Sequence, residues 1–189
     1  MVKSLFRPLA LALCVCSSGA LASPLDIDFS SYAINTPVSS VDGVSFSLMG
    51  SGPGPLGTPE IDSWGNNGLS NSVTGEYPTS NILDVLFNAQ VTNVSFQFDN
   101  YGSGSGSYVQ AFNGATLVET DSVDSLQGAW FSLTTTSAIT ELQFNNNTGG
   151  DSSWLFDVNS ITANVPEPSS LLLALISVAG LTVSRRRRH

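Results

Sequence analysis

Tyr108-Val109-Gln110-Ala111-Phe112-Asn113-Gly114-Ala115-Thr116-Leu117-Val118-Glu119 holds two β-prone runs joined by an Asn-Gly pair. Asn-Gly between such runs predicts a two-residue type I′ hairpin, because both turn residues must take positive φ. Outward from this hairpin the same two-residue alternation returns. Val94, Phe96 and Phe98 alternate with Ser95, Gln97 and Asp99, and Trp154, Phe156 and Val158 alternate with Leu155, Asp157 and Asn159. Leu142 and Phe144 alternate with Glu141 and Gln143. Leu25–Phe29, Val44–Leu48, Ile82–Phe87, Trp130–Thr134 and Ser160–Asn164 complete a set of short strands separated by turn residues. No useful length of chain carries apolar residues at helical spacing. About ten short strands at near-regular spacing predict an all-β fold, an antiparallel β-sandwich. A jelly-roll-like form is expected in preference to an immunoglobulin-like one.

Two stretches break the alternation. Met49 to Asn81 is rich in Gly and Pro and carries Asp62, Trp64, Asn66 and Asn67, so it predicts one long functional loop. Gly102-Ser103-Gly104-Ser105-Gly106-Ser107 predicts a flexible connection.

Charge is segregated along the chain. Every Lys and Arg lies near an end (Lys3, Arg7 and Arg185 to Arg188), and the single His is His189. Residues 23–164 hold 14 of the 15 acidic residues and no Lys, Arg, His or Cys, for a formal charge of −14. A Ser-His-Asp or Cys-His site therefore has no base there. Zinc, copper and haem sites lack their nitrogen and sulfur ligands. The sign of the charge excludes nucleic acid as a partner. What remains is carboxylate chemistry, as oxygen ligands for a hard cation or as a pair acting on a glycosidic bond, or acidity that serves solubility alone.

The ends read as targeting segments. Met1 to Ala22 has a basic start, an apolar run from Leu9 to Val15, and the small-residue cleavage site Ala20-Leu21-Ala22, the pattern of a Sec signal peptide. Cys14 and Cys16 would leave with it. At the other end, Val165-Pro166-Glu167-Pro168-Ser169-Ser170 precedes a 13-residue apolar run from Leu171 to Val183 and then Arg185-Arg186-Arg187-Arg188. The prolines make an extended spacer. The apolar run reads as a helix that enters a bilayer but is shorter than the ~20 residues of a comfortable span. Four arginines stop transfer on the cytoplasmic side.

This tail resembles the PEP-CTERM sorting signal of bacterial surface proteins, in the family's order of motif, apolar helix and basic cluster. The resemblance implies signal peptidase and an exosortase-type enzyme as processing partners. It also implies a transient hold on the inner membrane, a final place at the cell surface or in the matrix, and association with extracellular polysaccharide or biofilm. Three segments are thus expected: signal peptide 1–22, exported domain 23–164 and sorting tail 165–189.

Within the exported domain three candidate sites stand out. Asp26 and Asp28 share one side of the first strand, and with Asp157 they would hold a calcium ion, the one cofactor these residues imply. In many jelly-roll carbohydrate-binding modules the first and last strands supply the ligands of one calcium, and Trp154 to Ile161 resembles the closing strand that often precedes this sorting signal. Asp62, Trp64, Asn66 and Asn67, with Tyr77 nearby, combine an aromatic face with amide and carboxylate groups, the composition of a sugar-binding loop. Asp99-Asn100-Tyr101 and Asn145 to Asn147 with Asp151 have the same character in weaker form. Trp130 and Trp154 are expected in the core. Glu60, Asp62, Glu76 and Glu119 are the partners available for two-carboxylate catalysis, with no local motif selecting a pair. The expectation is a non-enzymatic carbohydrate-associated surface module. The alternatives are a carboxylate-dependent glycoside hydrolase or lyase, and a coat protein with no ligand.

Overall fold

The computed structural model describes residues 23–50, 57–62, 66–71, 82–100, 106–123, 128–146 and 156–166. The signal segment, Trp64, Tyr77, Asp151, Trp154 and the tail beyond Pro166 lie outside the described residues. Pro24–Val165 make one compact unit. Among the described residues every regular element is a strand. In chain order they are β1 (Ser23–Asp28), β2 (Ser40–Val41), β3 (Val44–Met49), β4 (Ile61–Asp62), β5 (Gly68–Ser70) and β6 (Ile82–Asn100). They continue with β7 (Ser107–Asn113), β8 (Thr116–Ser122), β9 (Ala129–Ser132), β10 (Ile139–Asn146) and β11 (Phe156–Val165).

β6 organises the fold because it belongs to two sheets. Its first part pairs antiparallel with β3, from Met49↔Ile82 to Val44↔Phe87, and with β10, from Phe144↔Leu83 to Glu141↔Leu86. The register against β10 then jumps, with Ile139 facing Val91. Just beyond, Asn93 sits at φ 51°, a left-handed conformation that Asn tolerates better than most side chains. Past this bend β6 pairs with β11 on one side and β9 on the other, with Phe98 facing both Val158 and Ala129. Strands that change sheets through bulges are how a sandwich makes its corners. One sheet thus runs β2-β3-β6-β10-β7-β8, and the other runs β4-β5-β11-β6-β9, with β1 also paired to β11.

The alternation read from sequence fills the space between the sheets. Phe96 and Phe98 of one sheet meet Phe144 of the other, Phe96 edge-on at 4.9 Å and Phe98 stacked at 6.1 Å. Phe156 closes on Phe98 at 5.1 Å. All four rings are fully buried, and aromatic pairs of this kind contribute about 0.5–1.5 kcal/mol beyond the area they bury.

The expected antiparallel β-sandwich is what the chain builds, with four local corrections. Asn113 closes β7 opposite Thr116, so the loop residues are Gly114 and Ala115. Gly114 takes φ +57° and neither Asn113 nor Ala115 takes positive φ, the mark of a type II′ turn and not I′. Asp42 and Gly43, at φ 48° and 80°, form the true I′-like turn between β2 and β3. The stretch read as one long loop contains β4 and β5, which pair with each other and extend the second sheet against β11. Ser107, read as the end of a linker, is instead buried as the first residue of β7 and accepts the Val123 N–H at 2.9 Å.

Candidate functional site

The outward faces of β3, β6, β10, β7 and β8 form one continuous surface. Residues opposite each other in neighbouring strands share a face. One row therefore runs Ser45, Leu86, Glu141, Phe112 and Leu117, and the next runs Ser47, Asp84, Gln143, Gln110 and Thr120. Asn145, Tyr108 and Ser122 align in a third. Tyr108 and Phe112 are half-buried and neither packs against the core cluster. Their neighbours Val109 and Ala111 take the inward positions. The two rings lie four residues apart on β7, roughly 13 Å along the strand. Between and beside them stand amides and carboxylates, with no cation.

The centre of this face is a carboxyl pair. Ser47 Oγ donates to Asp84 Oδ2 at 3.2 Å, and Gln143 Nε2 donates to Glu141 Oε1. Burial, then the hydrogen-bonded and negatively charged Glu141 carboxyl, push Asp84 up to about 6, against a smaller opposing pull from Ser47. The neighbouring Glu141 carboxyl thus favours the protonated form of Asp84. A second carboxyl pair lies on β8. Glu119 accepts the Thr134 N–H at 2.8 Å, the Thr134 hydroxyl at 2.7 Å and the Thr135 N–H at 2.7 Å. Burial pushes the Glu119 carboxyl up, yet Thr134, Thr135 and Asp121 outweigh it and hold the group below its ordinary value. This side chain pins the segment after β9 and is structural.

The residues expected to form sites fare differently. Asp26 and Asp28 lie on the exposed side of β1, where Asp28 caps the Ser30 N–H at 2.8 Å. Asp157 is 2% exposed on β11, turned beneath Gly68 of β5. The three do not converge, and among the described residues no three His, Cys, Asp or Glu side chains gather as metal ligands. The expected calcium site is therefore not built. Asn67 donates to the Tyr32 carbonyl at 2.9 Å, and the carbonyls of Asn66 and Asn67 accept from Asn159 Nδ2 at 3.3 and 3.4 Å. Asp62 is half-buried in β4. In the 62–67 segment, Asn67 and the described backbone thus dock β5 against β11, while Trp64 and Tyr77 lie outside the described residues. Trp130, expected in the core, is 56% exposed. Phe131 takes the inward position and stacks on Phe96 at 5.8 Å. The Tyr108–Phe112 face was legible only in part. Its strand was clear, but the partners that complete it come from strands far away in sequence.

No curated protein matches this chain. Among solved structures, a mutant of the family 29 carbohydrate binding module CBM29-2 shares 13% identity with it, covering 76% of this chain and 92% of that one at a TM-score of 0.40. A CBM29-2 mutant complexed with mannohexaose shares 12% over 76% and 92%, at a TM-score of 0.41. Similarity this distant brings none of those modules' properties to this chain. Residues 164–188 match the family model of the PEP-CTERM protein-sorting motif, and that motif marks the chain as an exported protein directed to the cell surface.

Proposed function

We propose that the exported domain is a non-catalytic module that binds extracellular polysaccharide through the Tyr108–Phe112 face. The observation that carries this reading is the face itself, where two rings stand clear of the core with Gln110, Gln143 and Glu141 beside them. Ring faces take the apolar side of a pyranose, and amides and carboxylates take its hydroxyls. With no Lys, Arg or His between residues 23 and 164, the ligand is a neutral glycan. Anionic polymers are repelled.

Asp84 accepts from Ser47 and Glu141 accepts from Gln143, so both carboxyls on this face are held by neutral donors. A signal peptide ending at Ala22, exosortase processing within the tail and a transient hold on the inner membrane complete the proposal.

Binding of the purified protein to exopolysaccharide from the producing cells tests it. Tyr108→Ala and Phe112→Ala should each weaken binding roughly tenfold, the loss of one stacked ring. Trp64→Ala serves as the comparison for the loop site. Unchanged affinity in both ring variants would overturn the face, and loss in Trp64→Ala alone would move the site to the 62–67 loop.

A further inference from the structure

On the other sheet, β9 turns Phe131 inward and Trp130 outward. Trp130 lies opposite Gln97, which in turn lies opposite Ser160 on β11. The adjacent row is Ser132, Ser95 and Thr162. Gln97 Nε2 donates to the Gly128 carbonyl at 2.8 Å, and the Ser95 and Ser132 hydroxyls are 2.8 Å apart. In a domain of formal charge −14, these two rows carry no charge. They offer one broad indole, a fixed amide and a set of hydroxyls. The core makes no use of the indole, since Phe131 already supplies the inward ring of β9.

We infer that this second face contacts a neutral glycan as well, so that one domain bridges two polysaccharide segments. The inference rests on the carbohydrate reading above. An indole beside uncharged amide and hydroxyl groups suits the same chemistry as the first face: stacking on a pyranose, with hydrogen bonds to its hydroxyls. The geometry then requires bridging. The inner faces of the two sheets pack on each other through Phe96, Phe98 and Phe144, about 10 Å apart. Their outer faces therefore point in opposite directions, and a linear chain lying on one does not reach the other.

The test uses the protein purified from producing cells, with those cells' own exopolysaccharide as probe. Binding is read by co-sedimentation and bridging by light scattering on mixing. Trp130→Ala should bind within about twofold of the unaltered protein, through the Tyr108–Phe112 face, while scattering drops at least ~fivefold as the second contact is lost. Trp130→Phe, which keeps an aromatic face, should recover part of the scattering. The side chain is mostly in water, so an unchanged thermal midpoint separates lost bridging from lost folding. Undiminished scattering in Trp130→Ala would overturn the inference and leave the first face standing. Self-association without polysaccharide that vanishes in Trp130→Ala would also overturn it, by making Trp130 a protein contact. An unaltered protein that binds no polysaccharide would instead sink the carbohydrate reading itself.

Discussion

Asp84 shows how far a single residue departs from what its type dictates. Its place in the alternation of β6 was clear from sequence, and its outward position follows from that phase. Its acidity was hidden, because Glu141 reaches it from a strand more than fifty residues away. A carboxyl raised by folding gives most stability when protonated. That contribution is complete below its unfolded value of 3.8 and is lost as pH rises through about 6. Asp84→Asn removes the charge that Glu141 opposes. The variant should be more stable than the unaltered protein near pH 8, by about 1 kcal/mol once solvent screening at this half-exposed site is allowed for. The difference should close near pH 4. Thermal midpoints at both pH values measure it, and a less stable variant at pH 8 would contradict the raised Asp84 carboxyl. Trp130 teaches the complementary lesson. Alternation gives two faces to every strand, and in Ala129-Trp130-Phe131-Ser132 the larger ring took the outer one. The packing of Phe131 against Phe96 and Phe98 decides that phase, and it joins strands distant in sequence.

At the scale of elements, strands with strict alternation were readable and those made by tertiary pairing were not. β3, β7 and β10 follow their apolar spacing. β4 and β5 are only two and three residues long and exist because β11 supplies their partners. Gly68 shows how close that docking is. A Cβ built there would lie 2.7 Å from Asp157 Cβ, 2.8 Å from Asn159 Nδ2 and 3.2 Å from the Val158 carbonyl. Backbone and a buried side chain leave no room to yield, so glycine permits the approach of the two strands. Gly68→Ala should cost about 2–3 kcal/mol in chemical denaturation by wedging β5 from β11. An unchanged denaturation midpoint would show that β5 contributes little to the second sheet. The continuity of β6 was equally hidden. Two alternating runs read as separate strands, and only the bend at Asn93 shows one strand serving both sheets.

For the whole molecule, charge segregation was fully legible, since it needs only a count. A domain with 14 carboxyl groups and no cation between residues 23 and 164 repels itself at every separation within the screening length. Raising sodium chloride from about 10 to 500 mM should therefore lift the thermal midpoint by roughly 3–5 °C. The proposed binding of a neutral glycan should stay within about twofold over the same range, because the ligand carries no charge to be screened. A midpoint that falls with salt would point to attractive pairings the sequence does not contain. The place of β11 has a mechanical meaning as well. It is hydrogen-bonded to β5, β6 and β1, and its last two residues, Asn164 and Val165, already belong to the matched sorting motif. A pull applied along β11 would meet its ladder rungs in shear, sharing the force among them where a pull across the strand would peel them open one by one.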